Sequence, residues 1–135
     1  MSNTQYREVG ATLLRLTLGT MWIAHAAFKW SAYTIDGFAG WLVTQNLPAF
    51  MAWPVFLLEL TGGIFLLLGI YGRYVSLLLL PILLAAIWVH LPNGWLHTST
   101  GGGWEYPAFL IMASIIHFFI GDGKLTVNRN LFQTK

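Results

Sequence analysis

Residues 90–107, HLPNGWLHTSTGGGWEYP, form the polar interruption around which an otherwise apolar chain is organised. A histidine ending one apolar run opens the stretch, and a glutamate near the start of the next closes it. Pro92-Asn93-Gly94 is turn chemistry, and Gly101-Gly102-Gly103 admits backbone shapes that side chains forbid. Trp95 and Trp104 bracket it with the aromatics favoured at a membrane–water boundary. No Lys or Arg lies between Leu91 and Trp104, so the stretch reads as an outward-facing loop between two membrane spans.

Working outward, four apolar spans emerge, at about residues 9–30, 50–70, 74–91 and 105–120. Each is close to the ~20 residues needed to cross a hydrocarbon layer of roughly 30 Å. The first contains Ala24-His25-Ala26, a superficial match to a leader-peptidase site. Its length and the internal Arg15 read instead as a retained transmembrane helix. Between spans one and two, Asp36-Gly37 is a turn, and Phe38, Trp41 and Leu42 predict a short amphipathic segment at the interface. Pro54 is tolerable in the first turn of span two. Tyr71-Gly72-Arg73 is a tight hairpin, and Pro81 should kink span three.

The whole-chain figures agree. In 135 residues, 56% are hydrophobic and 9% charged, and the mean hydropathy is +0.64. That is one small domain, 1–135, too apolar for a soluble protein of this size. The net charge of +2 arises from few groups gathered near the chain ends and one turn, which speaks to membrane orientation and against nucleic acid. Zero cysteines exclude thiolate catalysis, disulfide exchange and Cys-bound metal clusters. Arg7, Arg73, Lys124, Arg129 and Lys135 flank one side of the spans, against Lys29 near the other. The positive-inside rule then puts both termini in the cytoplasm, and Trp30, Trp41, Trp53, Trp95 and Trp104 mark the outer boundary. The fold expected is all-α: a multi-pass four-helix bundle in the inner (cytoplasmic) membrane.

Ionisable groups inside such spans are costly in lipid and should face the bundle interior. Arg15, Gly19, Trp22, Ala26 and Lys29 fall on one stripe of the first helix, with His25 four residues before Lys29. Glu59 sits near mid-depth in the second, followed by Gly62 and Gly63, which permit close helix approach. Tyr106 and His117 are eleven residues apart, about three helical turns, and so share a face.

Several stretches together resemble the DoxX family: Arg15, Lys29 closing the first helix, Leu58-Glu59-Leu60-Thr61-Gly62-Gly63, Gly69-Ile70-Tyr71-Gly72-Arg73, His90-Leu91-Pro92-Asn93-Gly94 and Gly102-Gly103-Trp104-Glu105-Tyr106. The resemblance extends from about Leu13 to Gly121. It implies a small four-helix integral membrane protein, similar to the membrane subunit of an archaeal thiosulfate:quinone oxidoreductase. Its implied positions are Arg15, Lys29, Glu59, Arg73, His90, Asn93, Glu105 and Tyr106.

The residues support two classes of function. In the first, His25, Lys29, His90, Asn93 and Glu105, with Trp88 and Tyr106, form an outward polar pocket for a quinone or similar small aromatic. Such a pocket supplies donors to carbonyls, near-neutral proton acceptors and flat apolar walls. The chain would then be the membrane partner of a redox protein. In the second, it is a non-catalytic scaffold or a small-molecule permeation protein, its buried charges setting helix register. Haem held by His25 and His90, or a metal with His97 added, is a third reading. Arg15, Glu59, Arg73 and His117 are read as structural or proton-linked. The pairings expected are Arg15 with Glu59 and Lys29 with Glu105, with Arg73 anchoring a cytoplasmic turn to phospholipid. The lipid bilayer is a partner on every reading, and a second copy of the chain stays open.

Overall fold

A computed structural model describes residues 1–128; Arg129 and Lys135, which contribute to the charge asymmetry, lie outside the described residues. The architecture is all-helical, and no strand occurs among the described residues. Helix α1 spans Asn3–Phe28, α2 Ile35–Thr44, α3 Ala52–Leu68, α4 Gly72–Leu78, α5 Leu80–His90 and α6 Glu105–Ile120.

Local chemistry sets the boundaries. Ser2 caps α1: its hydroxyl accepts from the Gln5 backbone N–H while the Gln5 side chain accepts from the Ser2 N–H. The helix then widens into a π-helical turn over Lys29–Tyr33. The chain turns at Thr34, at φ 58° and ψ 158°, and not at Asp36-Gly37 as expected: Thr34 caps α2 by accepting from the Gly37 N–H, which places Asp36 and Gly37 in the first helical turn. Pro81 lacks the N–H that would bond the Leu77 carbonyl, and the chain breaks at Leu79 into α4 and α5. The two segments continue one another. Gly72–Asn93 and Ala49–Leu68 are each long and apolar enough to cross a membrane; the apolar α6 is shorter. Helix α1 is longer than any of these but carries Arg7, Glu8 and Arg15.

The dominant contact is α1 against α3. It is centred on two glycines. A Cβ on Gly19 would meet the Gly63 carbonyl at 3.0 Å, and a Cβ on Gly63 would meet the Gly19 carbonyl at 3.0 Å. The two backbones touch, as small residues at a helix crossing permit. One apolar cluster gathers Leu18, Trp22, Leu66, Leu79, Leu83 and Leu110 in the body of the bundle. A second gathers Ala26, Phe38, Leu42, Ala52 and Phe56, where α2 docks on the ends of α1 and α3. The segment predicted to lie at an interface is thus a helix whose apolar stripe is buried against the protein. Much of the outward surface is also apolar: Leu78, Leu84, Phe109, Met112 and Phe119 are all exposed.

A cavity walled by an ion pair and three histidines

At the end where α1 meets α2 and the 94–104 loop, the helices line a half-open cavity of about 1260 Å³. Its walls are mostly apolar, with Trp22, Phe38, Trp41, Val55, Leu83 and Leu110 among them. The polar groups on it are His25 from α1, Lys29 from the π-helical turn that follows it, Glu59 from α3, His90 from α5, Glu105 and Tyr106 from α6, and His97 from the loop.

Lys29 and Glu59 are its electrostatic centre. Lys29 Nζ donates to both Glu59 carboxylate oxygens, at 2.9 and 2.8 Å. Glu59 is buried and Lys29 largely so, their side chains 3% and 14% exposed. Lys29 Nζ also lies 5.0 Å from the Phe38 ring centroid, a cation–π contact that ties α2 to it. His25 Nδ1 is 2.9 Å from the Met21 carbonyl one turn back, which favours the Nδ1–H tautomer and leaves Nε2 as an acceptor. Its ring stacks on Tyr106, centroids 6.0 Å apart. That stack also walls a smaller groove of about 450 Å³ between α1 and α6.

The loop over the cavity is built by His90 and Asn93. His90 Nδ1 contacts the Gly102 carbonyl at 3.1 Å, and Asn93 Nδ2 donates to the carbonyls of Gly101 and Gly102 at 3.1 and 2.8 Å. The chain then threads back between its own strands of backbone. A Cβ at Gly103 would collide with the Gly94, Trp95 and Leu96 carbonyls, so no other residue fits there. The Trp95 and Trp104 rings meet edge-on, centroids 4.5 Å apart.

Two expected pairings are corrected. Glu59 does not pair with Arg15, and the reason is register. With Gly19 opposite Gly63, stepping four residues back to Arg15 steps four forward to Leu67, beyond reach of Glu59. Arg15 is instead fully buried at the C-terminal end of α3, donating to the carbonyls of Leu66 and Leu67. The same guanidinium holds Asp122, Lys124 and Leu125 by their carbonyls at 2.9, 3.1 and 3.2 Å. It satisfies helix-end acceptors that would otherwise be orphaned and places positive charge at a helix C-terminus. Nor does Lys29 pair with Glu105. Glu105 accepts from the His97 backbone N–H at 3.1 Å and lies 3.5 Å from His97 Nδ1, because the loop folds His97 onto the first turn of α6.

Three further positions differ from expectation. Trp88 is 57% exposed and does not line the cavity, because Ala85, Ala86, Val89 and His90 occupy the inward face of α5. Asn93 braces the loop without lining the cavity. Arg73 donates to the Phe118 carbonyl, serving the end of α6 as Arg15 serves α3. The groups that sequence reasoning missed are the α2 wall, Phe38, Trp41 and Leu42, and Leu47 beyond it. Their apolar character was legible, but not that they cover a cavity.

His117 is fully buried, with Nδ1 2.7 Å from Ser76 Oγ and Nε2 3.2 Å from Asp122 Oδ1. Burial works to raise the Asp122 carboxyl. The His117 side chain, a backbone hydrogen bond at Arg73 and the Arg15 charge outweigh it and hold Asp122 below the usual carboxylate range. Among the described residues, no group of three or more His, Asp or Glu side chains is placed to hold a metal ion.

The DoxX family profile matches residues 10–91, which contain Arg15, Lys29, Glu59, Arg73 and His90. The chain belongs to the DoxX family. The DoxX family is membrane-associated, in keeping with the two helices able to cross a bilayer. Asn93, Glu105, Tyr106 and His117 lie beyond the matched residues; of these, Glu105 and Tyr106 line the cavity. The chain is 28% identical over 129 residues to the Bacillus subtilis (strain 168) protein named "Putative oxidoreductase CatD", covering 95% of this chain and 91% of that one. No solved structure matches it.

Proposed function

We propose that this DoxX protein is a multi-pass protein of the cytoplasmic membrane. Its outer cavity binds a quinone or similar small aromatic in support of a redox reaction carried out with a partner protein. The observation that carries this reading is the buried Lys29–Glu59 pair set in the wall of a largely apolar cavity of about 1260 Å³. Ligand sites are typically apolar pockets with few convergent polar groups, and this one exceeds the roughly 300–1,000 Å³ common for small ligands. It has room for an aromatic ring with a tail. An ion pair kept within a membrane helix bundle marks function more often than it marks stability.

Four crossings by α1, α3, the α4–α5 unit and α6 would make a four-helix bundle with both termini cytoplasmic. Arg7, Arg73 and Lys124 then lie at the inner end, and Trp95 and Trp104 at the outer. The name of the Bacillus subtilis relative supports the redox part. With no cysteine in the chain, electrons would pass through the bound aromatic to the partner.

Within the cavity, Lys29 is placed to donate to a ligand oxygen, and His25 Nε2 to exchange a proton with it. Filling the cavity tests the reading. Val55→Trp adds bulk to the wall without touching the polar groups. It should weaken binding of a short-chain quinone analogue by at least about tenfold, some 1.4 kcal/mol, with detergent melting little changed. Equal affinity in wild type and variant, measured by equilibrium dialysis, would place the ligand elsewhere.

A further inference from the structure

The buried pair carries information about the chemical form of the ligand, an inference that rests on the ligand-binding reading above. An ammonium has three N–H donors, and Lys29 directs two contacts at Glu59, leaving donor capacity beside them. A carboxylate offers about four lone-pair sites, and those of Glu59 serve Lys29 alone among the hydrogen bonds described. Both side chains line the cavity. The wall therefore presents a cationic donor and an anionic acceptor side by side, against the Phe38 face and within a largely apolar enclosure.

A quinone carbonyl can only accept. It can engage Lys29, but it offers Glu59 nothing and crowds its lone pairs against another oxygen. An aromatic hydroxyl uses both groups at once: its O–H donates to Glu59 while its oxygen accepts from Lys29. Hydrogen bonds to charged partners are the stronger kind, and the low-polarity surroundings strengthen them further. We propose that the Lys29–Glu59 pair is a recognition site for an aromatic hydroxyl, so that the cavity holds the hydroquinone or another phenolic compound in preference to the quinone or an ether. Lys29 and Glu59 are then binding residues that set specificity for the reduced form, and the apolar walls accept the ring with little discrimination.

The test uses three small probes on one ring skeleton: trimethylhydroquinone, trimethylquinone of nearly the same shape, and the slightly larger dimethyl ether, each measured by anaerobic equilibrium dialysis against the full chain in detergent. Wild type should bind the hydroquinone at least about tenfold more tightly than the ether, the effect of one hydrogen bond to a charged group, and more tightly than the quinone. In the double variant Lys29→Met/Glu59→Gln, which removes both charges together, the preference should collapse toward equality. Should that variant fail to fold, the wild-type ranking decides alone. Equal binding of hydroquinone and ether, or a preference that survives in a folded double variant, overturns the proposal. Tight quinone binding with weak hydroquinone binding overturns it too while leaving the quinone-site reading intact. Failure of all three probes to bind removes that reading and this one together.

Discussion

Glu59→Gln and Lys29→Met, made singly, should each destabilise the protein by about 3–5 kcal/mol, and the double variant should recover a large part of the loss. The pair is buried, with side chains 14% and 3% exposed, so removing one partner strands the other charge away from water. A stranded ammonium or carboxylate loses its partner and keeps its desolvation cost, whereas two neutral groups of similar shape lose both. The loss should exceed the electrostatic part, because Lys29 also holds α2 through Phe38. Thermal unfolding in detergent across the double-mutant cycle checks this. Single variants that melt like wild type would mean that the pair contributes no more than an exposed one does.

Arg15→Gln should be at least as damaging, with a loss of about 3 kcal/mol or more concentrated at the end of the bundle where residues 122–125 pack. One guanidinium satisfies carbonyls of two separate segments, the last turn of α3 and residues 122–125. Each buried carbonyl left without a donor costs roughly 1–3 kcal/mol. Arg15→Lys should rescue little. An ammonium is a point donor on a flexible stem and cannot reproduce a planar fork that spans both segments. Hydrogen exchange gives the sharper readout: the amides of residues 122–126 should lose protection early, while α2 and the 94–104 loop keep theirs. Uniform loss across the bundle would contradict this local role.

Much of the fold was legible because hydropathy and turn chemistry act locally. The break at Pro81 and the close approach at Gly63 follow from residue types within a few positions of each feature, whereas α1 begins at Asn3 inside the polar N-terminal stretch, through the Ser2 cap, and not at residue 9. The charge pairings were not legible, because they depend on how far one helix slides along another. A single contact, Gly19 against Gly63, sets that offset. It sends Arg15 to Leu67 and leaves Glu59 to Lys29, although the spacing of Arg15 and Glu59 in the chain gives no hint of it. Trp88 illustrates a second limit. Depth along α5 could be counted in residues, but four neighbouring positions competed for the inward face, and the small Ala85 and Ala86 took it with Val89 and His90. His97 and Glu105 met because a glycine-rich loop folded back on itself, a path that residue preferences do not encode.

The most direct test of an outward-opening ligand cavity is impermeant thiol labelling of single cysteines introduced into this Cys-free chain, in intact cells, with and without a quinone analogue. The three positions are Ser2, the α1 cap; Thr98, exposed in the 94–104 loop; and Leu47, on the cavity wall. Thr98→Cys and Leu47→Cys should label while Ser2→Cys does not, and the analogue should protect Leu47→Cys alone. Labelling of Ser2→Cys in place of Thr98→Cys, or a Leu47→Cys that reacts equally fast with and without the analogue, would contradict an outward-facing aromatic site.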